Sequence, residues 1–104
     1  MKVFVTNHAI ERFKERYDVP FFDESTCIRM LQAMVYNGVD YGGNVGKDIY
    51  KLNSFNLSGR VPEEIVLVVT KAFYHGKPEL LVKTVLTKQQ AIANMQCFTK
   101  SLDS

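Results

Sequence analysis

Residues 65–73 read I65-V-L-V-V-T-K-A-F73, a run dominated by aliphatic and aromatic side chains. A short continuous apolar run of this kind, rich in β-branched residues, is typical of a strand buried in a sheet. We therefore predict a central β-strand over Ile65–Phe73, and we expect the rest of the chain to assemble around it.

The neighbouring segments predict further strands. Asp48–Phe55 precedes the central run, separated from it by the turn-rich stretch Asn56–Pro62, and Glu79–Leu86 follows it after a hairpin-like turn at residues 75–78 (HGKP). Residues 2–6 (KVFVT) predict a short first strand. Because most of these strands are joined by short turns, we expect an antiparallel sheet of about four strands.

Two helices are predicted between the first strand and the others. Thr6 or Asn7 can cap a helix that runs to about Tyr17, and Asp23 can cap a second helix that Gly38 ends. The apolar face of the second helix is expected to consist of Cys27, Leu31, Met34 and Val35.

The C-terminal part predicts a third helix. Thr87 and Gln90 have capping-box spacing. The residues expected to be buried by this helix are Ala91, Ile92, Met95 and Phe98. The predicted fold class is α+β, in the order β-α-α-β-β-β-α, with the N-terminal helices packed on one face of the sheet and a C-terminal helix.

The amino-acid composition limits the classes of protein to which the chain can belong. The chain has 104 residues, 46% of them hydrophobic, with a net charge of +2, which fits a single globular domain (residues 1–104) and does not by itself indicate nucleic-acid binding. No apolar run reaches the roughly 20 residues of a membrane span. We expect a soluble, cytoplasmic protein with no membrane partner, in which Cys27 and Cys97 are reduced core thiols.

Four polar residues follow one side of the first predicted helix. At about 100° per residue, His8, Arg12 and Glu15 are mutual neighbours, and Arg16 lies beside them. The apolar side is made of Ala9, Ile10, Phe13 and Tyr17. The pattern permits two interpretations: a site for phosphate chemistry, or an ordinary solvated helix face with Glu–Arg pairs.

The phosphate hypothesis rests on the chemistry of these side chains. Histidine can transfer a proton near neutral pH, arginine matches phosphate geometry, and a helix N-terminus attracts anions. Cleavage of RNA by its own 2′-hydroxyl needs a base, an acid and cations around the phosphate. Mg²⁺-dependent cleavage would need clustered carboxylates, which the sequence does not offer, so we expect catalysis without metal or other cofactor.

The same stretch resembles a known family. Residues 7–16, N-H-A-I-E-R-F-K-E-R, resemble the His-Ala-x-x-Arg-x-x-x-Arg signature of small bacterial and phage domains in the RelE/barnase-like ribonuclease superfamily, which includes toxin domains. Gly38 at the end of the second helix and V82-K-T-V85 in the last strand resemble the same family. The resemblance implies helices followed by a strand meander, an endoribonuclease activity, and a site that includes His8, Arg12, Glu15, Arg16 and Thr84.

Strand residues extend the predicted site. By alternation, Lys83 is expected on the open face of the sheet beside Lys51, and with the helix arginines the two lysines would form a basic groove. Tyr50 could stack a base or act as an acid, although a packed strand aromatic is the simpler interpretation. The predicted ligand-binding residues are thus Tyr50, Lys51, Lys83 and Thr84, and the predicted ligand is RNA or another phosphate-bearing molecule.

Residues 41–46 (YGGNVG) predict a glycine-rich loop. A nucleotide-binding loop is disfavoured because one residue is missing between Gly42 and Gly46-Lys47, and because Asp48 stands where Ser or Thr is needed. We expect a mobile loop beside a site.

A non-catalytic interaction protein is the alternative hypothesis. Such a domain could bind a host protein, an antitoxin-like protein or a nucleotide, and its aromatic side chains would then cluster on an exposed face. The aromatic residues expected to serve as anchors are Tyr36, Tyr41, Tyr50 and Phe73.

Overall fold

The computed structural model describes residues 2–45, 48–55 and 63–94. The elements are β1 (Lys2–Val5), α1 (Asn7–Arg16), α2 (Glu24–Asn37), β2 (Val39–Val45), β3 (Asp48–Phe55), β4 (Glu63–Tyr74), β5 (Lys77–Thr87) and the helix α3, described over 88–94. The α+β class is confirmed, but there is one strand more than predicted. The predicted turn at 56–62 lies outside the described residues.

The strands form one mixed sheet in the order β1-β5-β4-β3-β2. The central position of β4 confirms the prediction made from its apolar run. The prediction of an antiparallel sheet of about four strands was wrong in two respects. Strand β1 pairs parallel with β5, and β2 adds a fifth strand. Strands β2 to β5 are an antiparallel meander that begins at the far edge and returns to β1. In the chain, α1, α2 and the strands β2 to β4 all lie between β1 and β5, which gives the long connection that parallel neighbours need.

Strand β2 replaces the predicted glycine-rich loop. It pairs antiparallel with β3 from Val39↔Leu52 to Val45↔Asp48, with an irregularity between Asp40 and Asn44. Glycines weaken a strand but do not prevent it where a neighbouring strand satisfies the backbone groups. The glycine-rich composition of this segment therefore led to the wrong prediction of its secondary structure.

The two N-terminal helices begin as predicted. The Thr6 hydroxyl accepts a hydrogen bond from the Ala9 backbone N–H at 3.0 Å, and the Asp23 carboxylate accepts one from Thr26 at 2.7 Å. These bonds satisfy backbone donors that the first turn of a helix leaves free. Hydrogen bonds from the side chain and the backbone of Thr26 lower the pKa of Asp23.

Helices α1 and α2 pack on one face of the sheet. Cys27, predicted to be a reduced core thiol, is buried and free, and its burial raises its pKa. Cys97 lies outside the described residues. The fully buried side chains of this core include Ala9, Phe13, Leu31, Met34, Ile65, Leu67, Val69, Val82 and Val85.

Helix α3 packs on the opposite face. The predicted capping box is present, since Thr87 N–H donates to Gln90 Oε1 at 3.1 Å and Gln90 N–H donates to Thr87 Oγ1 at 3.2 Å. Ala91 is buried as predicted, but Ile92 is 38% exposed, so its predicted burial was wrong. The predicted contacts of residues 95 and 98 lie outside the described residues. The buried cluster on this face consists of Tyr50, Val66, Val68, Leu86 and Ala91.

The β4–β5 hairpin is tighter than predicted. Only His75 and Gly76 form the turn, with φ values of 51° and 77°, while Lys77 and Pro78 already belong to β5. Two consecutive positive φ values match the right-handed twist of a two-residue hairpin.

Candidate functional site

Helix α1 covers the part of the β5 edge that β1 leaves open. The pairing of β1 with β5 ends at Val5↔Val82. Immediately afterwards the Thr6 hydroxyl donates to the carbonyls of Val82 and Lys83, both at 3.1 Å. The first turn of α1 is thereby fixed beside the backbone of Lys83.

The last turn of α1 is fixed to the same strand. Arg16 Nη1 donates a hydrogen bond to the backbone carbonyl of Val85. The Tyr17 hydroxyl donates to the carbonyls of Leu86 at 2.8 Å and Glu64 at 3.0 Å. Both ends of the helix thus contact one short stretch of β5, and the helix lies along that stretch.

The covered stretch of β5 contains a bulge. Val68 pairs with Thr84, whereas the next residue, Val69, pairs with Val82, so Lys83 is the extra residue. A bulge changes the direction of a side chain and increases local twist. The two residues that the sequence predicted as ligand-binding in this strand, Lys83 and Thr84, therefore occupy its irregular point.

Lys83 points over the face that carries α3. Its Nζ lies 3.2 Å from Asp48 Oδ2, and Asp48 is two residues from Tyr50, which is buried in the α3-side cluster. Neighbours at this spacing in a strand share a face. Asp48 is an ion-pair partner of Lys83 that sequence analysis missed, although its alternation with Tyr50 was a usable signal.

The polar stripe of α1 faces outward as predicted. His8 is exposed, while Ala9 and Phe13 are fully buried. Arg12 Nη1 lies 2.6 Å from Glu15 Oε2, with 34% and 65% of the two side chains exposed. The ion pair fits the solvated-face hypothesis, and the exposed histidine beside it fits the phosphate hypothesis.

Lys51 does not join this group. It pairs with Leu67, which belongs to the α1–α2 core, so it lies on the opposite face from Lys83. Its Nζ binds Asp40 Oδ1 at 2.8 Å. The predicted basic groove containing both lysines was wrong, because the bulge places Lys83 out of simple alternation and the register places Lys51 on the helix-facing side.

Tyr50 is packed rather than open. It is only 7% exposed and contacts the apolar cluster under α3, which leaves little of its ring for base stacking. Tyr41 is partly buried against the same cluster. Tyr36 and Phe73 are 65% and 78% exposed. Because two of the four proposed anchors are packed inside, they do not form the predicted exposed aromatic cluster.

The described residues contain neither a grouped set of metal ligands nor a membrane-spanning helix. Within residues 2–45, 48–55 and 63–94, no three His, Cys, Asp or Glu side chains are grouped so as to hold a metal ion. Over the same residues, no helix has the length and apolar character required to cross a membrane.

Comparisons of the chain with protein-family models, curated proteins and solved structures gave no match. The polar residues around α1 and β5 form two groups. His8, Arg12, Glu15 and Arg16 lie on α1, which packs on one face of the sheet, whereas Lys83, Thr84 and Asp48 lie on the α3 side of the sheet. These residues are together called the α1–β5 site.

Proposed function

We propose that the α1–β5 site binds RNA through its phosphates and cleaves it without a metal ion. The observation that carries the proposal is the attachment of both ends of α1 to the bulged stretch of β5. This attachment holds the outward-facing stripe with His8 and Arg12 along strand β5, whose α3 side carries Lys83 and Thr84. A base, a guanidinium, an ammonium and a hydroxyl are the groups that recognise a phosphodiester.

The carboxylates at the site do not prevent phosphate binding. Glu15 neutralises Arg12, and Asp48 neutralises Lys83, in exposed or half-exposed pairs. Such surface pairs contribute only about 0.2–1 kcal/mol. A phosphate of a polyanion can displace them, because neutralising that phosphate releases a cation condensed on the nucleic acid, which is entropically favourable.

The proposed roles follow from position. His8 takes the proton of the attacking 2′-hydroxyl or gives one to the leaving oxygen, and Arg12 stabilises the charge that builds on the phosphate. Arg16 has a structural contact to Val85, so we assign it to positioning the helix. A cytoplasmic setting, where RNA is the abundant polyanion, is part of the proposal.

The binding proposal is tested with fluorescently labelled RNA at two salt concentrations. Lys83→Ala should weaken binding and reduce the slope of log affinity against log salt by about 0.7. Lys51→Ala is the matched control, since it removes the same charge from the opposite face. An equal effect of both variants, or salt-independent binding, would contradict the proposal.

The cleavage proposal is tested by incubating the protein with total RNA, with and without a chelator. We expect cleavage in both samples. Binding without cleavage would show that the protein binds RNA but does not cleave it. Cleavage that the chelator abolishes would reject the metal-free mechanism. Free nucleotides and DNA are included as competitors, because equal binding of either would show that RNA is not preferred.

A further inference from the structure

An apolar groove lies at the hairpin end of the sheet, away from the packed helices. It has a volume of about 370 Å³ and lies between β1 and the β4–β5 hairpin. Phe4 and Phe73 at its walls are 47% and 78% exposed. The residues that line it are Phe4, Ala72, Phe73, Glu79, Leu80 and Leu81. Isolated exposed apolar residues are ordinary, but a contiguous patch around a depression indicates an interaction surface.

A second depression adjoins this groove and is basic. It has a volume of about 430 Å³, is lined by Lys2, Lys77, Pro78 and Glu79, and shares Glu79 with the apolar groove. Two lysines against one glutamate leave this depression with a net positive charge.

Lys2 and Lys77 differ from the two lysines of β3 and of the bulge in β5. In the part of the chain that the structure describes, Lys2 and Lys77 form no ion pair, whereas Lys51 and Lys83 each pair with a carboxylate. Unpaired cations beside an apolar groove favour a partner of opposite charge.

We propose that this groove, defined by Phe4, Ala72, Phe73 and Leu81 with the lysines at positions 2 and 77, binds a peptide segment of a partner protein. The segment carries aliphatic side chains, which fill the groove, and acidic side chains, which meet the lysines. The surface is separate from the α1–β5 site and does not depend on the proposed RNA chemistry.

The charge favours such a peptide over a second copy of the chain. A symmetric dimer brings the same patch from both subunits together. The two lysines of one copy would then face those of the other, which is unfavourable. An acidic segment removes this repulsion and covers the same apolar side chains.

The test uses the full-length protein and a labelled short peptide of alternating leucine and glutamate. Two control peptides replace leucine by serine or glutamate by lysine. We expect the leucine–glutamate peptide to bind at least about tenfold tighter than either control, because both burial and charge contribute. Phe4→Ala should abolish the preference over the serine peptide, and Lys77→Glu should abolish the preference over the lysine peptide.

Matched variants separate this proposal from a loss of folding. Phe21→Ala removes a phenylalanine that is 68% exposed elsewhere, and Arg29→Glu reverses an exposed charge on α2. Neither should change peptide binding, and RNA binding should be unaffected by Phe4→Ala. Equal binding of all three peptides would overturn the proposal. So would a concentration-dependent dimer abolished by Phe4→Ala, or tighter binding of a peptide with the sequence of residues 95–104.

Discussion

Lys83 and Asp48 form an ion pair across the central strand β4, with Lys83 Nζ 3.2 and 3.3 Å from the two carboxylate oxygens. The pair exists because the bulge in β5 directs Lys83 over the α3 side of the sheet, where Asp48 also lies. In the proposed function, the ammonium group of Lys83 binds phosphate. In the protein without RNA, this group is instead bound by Asp48.

Asp48→Asn should consequently tighten RNA binding. Releasing Lys83 from an exposed pair worth up to about 1 kcal/mol would raise affinity by up to about fivefold. Asp40→Asn is the matched control, because it frees Lys51 on the opposite face with the same change in net charge. Fluorescence titration measures both, and an equal gain for the two variants would mean that only net charge matters.

Arg12 and Arg16 should separate binding from stability. Arg16→Ala leaves the Val85 carbonyl without its side-chain donor and should lower the free energy of unfolding by about 1–2 kcal/mol. Arg12→Ala removes only a surface pair and should change stability by less than about 0.5 kcal/mol, while weakening RNA binding. Urea denaturation combined with titration measures both quantities. A larger stability loss for Arg12→Ala would contradict this assignment.

Gly38 should not tolerate a methyl group. A Cβ at this position would lie 2.7 Å from the Met34 carbonyl oxygen and 3.2 Å from that of Leu52. Both contacts are with backbone, so Gly38→Ala should destabilise the fold by about 1–3 kcal/mol. Gly76→Asn is the comparison, since that position has open space and a φ of 77°, which asparagine tolerates. Thermal denaturation should show a much smaller loss for Gly76→Asn.

Tyr17 should make stability fall at alkaline pH. Burial raises the pKa of Tyr17 to about 12, above its usual value of 10.0. The unfolded chain therefore loses this proton first, and the contribution of the neutral hydroxyl is complete below pH 10 and declines as pH rises towards 12. Tyr17→Phe should be less stable at neutral pH, since two carbonyls lose a donor, and its alkaline decline should be shallower. Denaturation at several pH values tests this, and parallel curves for both proteins would refute it.

The elements that follow from local chemistry were predictable. The Ile65–Phe73 run identified the central strand, because only a sheet interior accepts so many β-branched side chains in sequence. Side chains that bond to nearby backbone identified the helix starts at Thr6, Asp23 and Thr87. Gly38 was correctly expected to end α2, but its backbone there is extended and not left-handed, and a Cβ at this position would lie 2.7 Å from the Met34 carbonyl oxygen.

The remaining features depend on pairing between distant segments. Residues 41–45 form a strand because they pair with β3. Strand β1 has a parallel partner because the chain comes back to it with β5. The bulge at Lys83 decides which face that lysine reaches, and alternation alone cannot reveal an inserted residue. The polar stripe of α1 was predictable from the sequence. Of the strand residues predicted to accompany it, only some lie on the strand that α1 contacts.

His8 provides the decisive test of catalysis. It is exposed and lies off the buried side of α1, so His8→Ala should leave the melting temperature unchanged. Removal of a general acid or base should slow RNA cleavage by about 10²–10⁴-fold. His75→Asn is the matched control, because it removes the other histidine, at the hairpin turn, and asparagine accepts the φ of 51° found there.

The cleavage products distinguish the proposed mechanism from its competitors. Attack by the internal 2′-hydroxyl leaves a 2′,3′-cyclic phosphate, which mass spectrometry identifies, and a substrate with deoxyribose at the cleavage position should remain intact. Because His8 and Arg12 supply the proton transfer and charge stabilisation in this proposal, a chelator should not change the rate. Wild-type cleavage by His8→Ala, or cutting of the deoxyribose substrate, would show that His8 is only a solvated helix residue or that the activity has another source.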